Sequence, residues 1–247
     1  MSEELELKLL REIEELKFKI ANLEKIEVNK IDSYSFGKMR DSDLKKLFDI
    51  NKSIDRAIFK DWFGFNIKIS KDIEQFLQDL IDKNEFLISD YSEEDLKMYF
   101  LAPILNLVDF RLIDRNIRGF FEEKLTYKTD KFILNGTLDF TVSKGLTFSE
   151  KPYFFIQEFK RAEEYSNPRP QLLAEMIAGV ELNSWKQIKG AYIVGSIWNF
   201  VILEKIEDRY IYYISANFDS SKINDLIDIY KNLMFVKEEI LKISEID

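Results

Sequence analysis

Two β-type runs in this chain each set a carboxylate among apolar residues, and the second adds a lysine two positions later. The first is Gly136-Thr137-Leu138-Asp139-Phe140; the second is Tyr153-Phe154-Phe155-Ile156-Gln157-Glu158-Phe159-Lys160-Arg161. Side chains alternate faces along a strand, so Thr137, Asp139 and Thr141 share one face, and Glu158 and Lys160 share another with Ile156 and Phe154. Paired as a hairpin, the strands bring Asp139 beside Glu158 with the Lys160 ammonium adjacent. Two carboxylates in an apolar sheet repel each other and lose hydration, and one lysine neutralises only one of them. A divalent cation between Asp139 and Glu158 removes the conflict and supplies a Lewis acid. Lys160 then orients or deprotonates an attacking water, or stabilises charge developing on a phosphate. That chemistry is phosphodiester hydrolysis. The competing reading is a solvent-facing Glu158–Lys160 pair on an edge strand, with Asp139 as a turn residue. Context favours the first: both runs are strong strands, and a helix follows with Gln171 and Glu175 four residues apart on one face.

Composition narrows the chemistry further. The chain contains neither histidine nor cysteine. Ser-His-Asp and Cys-His catalysis, histidine acid–base chemistry, disulfides and His-ligated zinc are therefore excluded. Any metal must sit on hard oxygen ligands, which favours Mg²⁺, Mn²⁺ or Ca²⁺ over zinc. The net charge is −9, so a nucleic-acid partner requires positive charge gathered locally. With no signal-peptide pattern and no apolar run near the length of a membrane span, the expected location is the cytoplasm and no membrane partner is expected.

The elements that must position these residues can be read in order. Leu9, Ile13, Leu16, Ile20 and Leu23 form a heptad seam over the first 27 residues: either an amphipathic helix folded back onto the domain, or a short coiled coil or docking helix that implies a homo-oligomer or partner subunit. Residues 28–90 read as a helical connector and packing segment, with helical spacing over Asp41–Phe59 and a helix capped by Ser70 and stopped near Asn84. Residues 91–247 form the main domain. It opens with a capping box at Ser92 and Asp95, and Pro103 predicts a kink or a break near Leu101. Between Arg111 and Lys131 six basic residues face four acidic ones, a solvated segment or a phosphate-contacting surface; Arg115, Arg118 and Arg161 are the candidate phosphate contacts. Strands follow over Lys131–Ser143 and Tyr153–Arg161, then a helix over Gln171–Leu182. Strands over Gly190–Gly195, Trp198–Ile206 and Arg209–Ser215 precede a final helix opened near Ser220. The whole is an α/β (α+β) protein with one mixed central sheet flanked by helices.

These residues resemble the PD-(D/E)XK nuclease superfamily. Its marks are a glutamate in the first core helix, an aspartate after a Gly-containing hairpin, E-x-K on the next strand and a glutamine in the following helix. Here they fall on Glu94 (Glu93 as the alternate), Asp139, Glu158 with Lys160, and Gln171. The run from Glu94 to Leu105 is similar to the helix of type I restriction-subunit-like members, and Gln171–Met176 to their glutamine helix. Leu138 stands where the first motif usually carries proline. The resemblance implies a restriction-endonuclease-like αβββαβ core over roughly Glu93–Ser215. It also implies Mg²⁺ (or Mn²⁺) on Asp139, Glu158 and the Phe159 carbonyl, a catalytic Lys160, and Glu94 and Gln171 in support. The function expected is metal-dependent cleavage of nucleic acid, DNA first. The alternative is a nuclease-fold assembly module acting through the N-terminal helix.

Overall fold

The computed structural model describes residues 31–161 and 167–245, together with Glu12, Leu16 and Ile20. Leu16 and Ile20 are helical and exposed; the rest of the expected coiled-coil seam lies outside the described residues. Strands β1 (Asp32–Ser35), β2 (Asp49–Ser53), β3 (Ile117–Lys128), β4 (Phe132–Lys144), β5 (Glu150–Lys160), β6 (Gln187–Val194), β7 (Ile197–Ile206), β8 (Arg209–Ile214) and β9 (Phe218–Asp219) form one mixed sheet. Its order is β1-β4-β5-β6-β7-β8-β2, with β3 also on β4 and β9 on β7. The helices are α1 (Asp41–Leu47), α2 (Lys60–Phe63), α3 (Lys71–Asn84), α4 (Glu93–Leu96), α5 (Ala102–Val108), α6 (Pro168–Asn183) and α7 (Ile223–Ile243).

Two cores lie on opposite faces of the sheet. On one, Trp62, Leu77, Leu96, Phe100, Leu226 and Leu233 pack against Phe155, Phe159, Ile193 and Phe200. On the other, Leu172, Met176, Ile177 and Val180 of α6, with Phe36 and Leu44, cover Leu134, Leu138, Ile156 and Val201. Burying each such side chain contributes about 1.5–3 kcal/mol, so α6 is held by packing on nearly all its sides. Its residues from Pro170 to Val180 are all buried, which is why its sequence carries no amphipathic stripe. Gly190 on β6 permits the close approach: a Cβ there would lie 2.8 Å from the Ile156 carbonyl and 3.0 Å from Met176 Sδ.

From Glu93 to Val194 the elements run helix, β3, β4, β5, α6, β6, the αβββαβ order that the resemblance implied. Ser92 caps α4 by accepting from the Asp95 N–H at 3.0 Å. Near Leu101, where Pro103 predicts a kink or a break, the helix widens into a π-helical turn, Lys97–Leu101, and continues into α5; the wide turn accommodates the ring and the missing N–H without ending the helix.

The segment 28–90 departs from the helical connector expected of it. The helical spacing over Asp41–Phe59 is interrupted by β2, and the segment supplies two strands, β1 parallel to β4 and β2 parallel to β8. Both are short and lie at the ends of the strand order; at β2, ladder pairing from a distant strand outweighs the local helical spacing. The basic stretch after Phe110, read as a solvated strand pair or loop or as a phosphate-contacting surface, is mostly β3, paired along β4 from Ile117 to Lys128.

Candidate active site

The site lies where β4 loses a neighbour. β3 covers one edge of β4 along almost its full length. The other edge is shared: β1 pairs with Phe132–Asn135, and β5 pairs with Phe140–Lys144. Gly136–Asp139 therefore has no ladder partner on that edge. The β4–β5 ladder ends at Phe140–Gln157, and the next pair in register, Asp139 with Glu158, is not made. The strands part between two carboxylates. β4 also changes sides there: Leu134 and Leu138 belong to the α6 core, and Phe140 and Val142 to the opposite one.

The gap brings side chains from both layers together. Asp139, buried, accepts the Phe159 N–H on Oδ2 at 2.7 Å. Its Oδ1 is 3.7 Å from Lys97 Nζ, and its Oδ2 3.9 Å from Lys160 Nζ. Lys160 Nζ donates to Glu158 Oε1 at 2.6 Å and to Glu93 Oε1 at 3.5 Å. Glu158 is completely buried. From α6, Gln171 Nε2 donates to Glu175 Oε1 at 3.0 Å, and Glu175 is also completely buried. The remaining oxygens, Glu158 Oε2 and Glu175 Oε2, have no hydrogen-bond partner among the described residues.

Electrostatics follow from burial and crowding. Burial, then repulsion from Glu175 and Asp139, pushes Glu158 well above the usual carboxylate range despite Lys160. Burial likewise pushes Glu175 well up, and Asp139 adds to it. Glu93 rises for the same first reason, opposed by Lys160. Burial works against the Lys160 ammonium, yet Glu158, Asp139 and Glu93 outweigh it and hold it above the ordinary lysine value. A cluster with more buried carboxylates than ammonium groups favours any additional cation.

The donor set fits a hard divalent cation: its ligands are carboxyl or carbonyl oxygens, and two buried carboxyl oxygens lack partners among the described residues. Among the described residues, no group of three or more acidic side chains converges as a ready-made ion cage; Lys160 and Lys97 occupy the positions beside Glu158 and Asp139.

Of the residues expected from sequence, Asp139, Glu158, Lys160 and Gln171 are gathered here, Gln171 through Glu175. In the first core helix the structure brings in Glu93, while Glu94 is exposed and points elsewhere; the cap at Ser92 sets which face of that first turn meets the sheet. Arg115 is held by the Ser244 carbonyl and Glu245 at the end of α7. Arg118 donates to the Leu146 carbonyl at 2.7 Å and lies over the Phe120 ring. Neither joins the cluster. Arg161 is exposed at the end of β5 beside Lys160. Sequence reasoning missed Lys97, which ion-pairs with Glu122 as well as facing Asp139. Its signal was present: Lys97 lies four residues after Glu93, one helical turn along the same face.

No family model and no curated protein matches the chain. Among solved structures, a cryo-EM structure of a DrdV–DNA complex is similar with a TM-score of 0.35 and 12% identity, over 65% of this chain and 14% of that one. This chain thus spans a small part of that protein's length. Among the described residues no helix is long and apolar enough to cross a membrane.

Proposed function

We propose that the protein is a metal-dependent nuclease that hydrolyses phosphodiester bonds, with DNA as the first substrate to test. The observation that carries this reading is the unmade Asp139–Glu158 pair at the opening in β4, with Lys160 Nζ between its members at 3.9 and 2.6 Å. In this reading Asp139, Glu158 and the Phe159 carbonyl hold Mg²⁺ or Mn²⁺. When bound, the ion supplies a Lewis acid for the phosphate and an acidified water. Lys160 orients the attacking water and stabilises charge on the phosphate oxygens. Glu93, in the role first given to Glu94, holds the Lys160 ammonium from the other layer, and Gln171 fixes Glu175 behind Glu158. Incubation with Mg²⁺ or Mn²⁺ and linear or circular DNA tests the proposal: wild-type protein cleaves and Lys160→Ala does not. Failure of wild type to cut DNA or RNA with either ion removes it.

A second reading, a nuclease-fold module that assembles through its N-terminal helix, is favoured by the exposure of Leu16 and Ile20, two seam residues one helical turn apart. Deleting residues 1–27 then lowers the number of chains per particle, measured from the mass in solution; an unchanged oligomeric state removes it.

A further inference from the structure

A nucleic-acid strand needs cations that the protein does not already use, and most of the basic residues expected to serve are engaged. Arg111 is paired with Asp109, Arg115 with Glu245, and Arg118 with the Leu146 carbonyl and the Phe120 ring. Free cations stand instead on the segment that leaves the sheet at the site. After β1 the chain turns through Phe36–Lys38 and enters α1. The Phe36 ring lies against Gly136, where a Cβ would come within 2.9 Å of it. Gly37 faces the glutamine helix, since a Cβ there would be 3.8 Å from Gln171 Oε1.

Between this segment and the start of α6 lies a cleft of about 520 Å³, lined by Lys38, Met39, Arg40, Asn167, Pro170 and Gln171 among others. Lys38 and Arg40 are exposed, and neither side chain has a carboxylate partner among the described residues. Of the acidic groups nearby, Asp41 is paired with Arg169 at 2.5 Å, and Asp43 accepts the Arg40 main-chain N–H at 3.0 Å. Gln171 is common to cleft and site: it lines the one and donates to Glu175 in the other. The cleft lining thus carries two cations against one carboxylate, Asp41, itself paired with Arg169, and it meets the carboxylate cluster through Gln171.

We propose that this cleft binds the phosphodiester backbone of the nucleic-acid strand being cut, with Lys38 and Arg40 as its phosphate contacts. The inference rests on the nuclease reading and adds a substrate-positioning surface that residues 36–41 supply. Each cation placed on a duplex phosphate releases counterions and adds about 0.9 to the slope of log affinity against log salt.

Fluorescence anisotropy of a labelled DNA duplex, at several salt concentrations without Mg²⁺, tests it. The double variant Lys38→Glu/Arg40→Glu is expected to bind at least tenfold more weakly at low salt. The milder Lys38→Ala/Arg40→Ala, safe for folding because both side chains are exposed, lowers the salt slope by about 2. A control reversal on α3, which packs on the opposite face of the sheet, Lys71→Glu/Lys83→Glu at two exposed positions, leaves affinity within about twofold. Equal weakening by the control, or no change in the first two variants, overturns the proposal while leaving the nuclease reading intact if wild type still cleaves. A wild type that neither binds nor cleaves DNA or RNA overturns both.

Discussion

Asp139 Oδ2 takes the main-chain N–H of Phe159 at 2.7 Å, doing with a side chain what the β4–β5 ladder has ceased to do two residues earlier. One carboxylate therefore ties off a broken ladder and faces the ammonium groups of the site. The two roles separate on mutation. Asp139→Ala leaves a buried N–H without an acceptor and is expected to cost about 1–3 kcal/mol of stability. Asp139→Asn keeps an acceptor and costs less, yet abolishes cleavage as fully as alanine. Denaturant melts beside cleavage assays check this; equal stability of the two variants counts against the bond.

Lys160→Ala leaves Glu158 buried without its cation. In EDTA at pH 8 the loss is expected to be about 3 kcal/mol, shrinking in mild acid, where Glu158 takes up a proton. Urea melts at the two pH values check it.

Glu175 sets a pH dependence of definite sign. Its folded pKa is raised by burial, so the folded state holds the proton longer than the unfolded chain. Stability from this group is full below the unfolded carboxylate value and is lost as pH rises through the folded one. Glu175→Gln keeps an acceptor for Gln171 and removes the charge. It is expected to be about 1–3 kcal/mol more stable than wild type at pH 8 in EDTA, with the difference vanishing toward pH 4. A constant difference across that range defeats the assignment.

Glu93 and Glu94 differ by one position and are expected to differ sharply in effect. Glu93→Gln loosens Lys160 and lowers kcat at least tenfold, whereas Glu94→Gln leaves cleavage within about twofold. Comparable losses in both variants remove Glu93 from the site.

Much of this arrangement was legible beforehand because it is local. The capping box at Ser92, the E-x-K strand and the glutamine helix each depend on spacing within one element. What was not legible depends on partners far away in the chain. β1 and β2 are strands because β4 and β8 hold them, and nothing in the few residues of β2 overrides a helical spacing. The choice of Glu93 over Glu94 depends on how the cap rotates the first turn of α4. Arg115 and Arg118 looked available because the Ser244 and Leu146 carbonyls that occupy them are invisible to composition. Lys97 was legible only in part: its spacing from Glu93 placed it on the same helix face, but its approach to Asp139 depends on the distant β4.

The pairing of β2 with β8 joins Asp49 to Arg209, and that of β1 with β4 joins Asp32 to Phe132. Contacts of such sequence separation close late and slow folding. During synthesis the early strands wait for most of the chain to emerge, and until they dock β8 presents an open edge of Tyr210, Ile211, Tyr212 and Tyr213. An unguarded edge of that composition invites other chains to add to it. Residues 32–53 thus act as late-fitting covers, and a fragment that lacks them is expected to aggregate where the full chain does not.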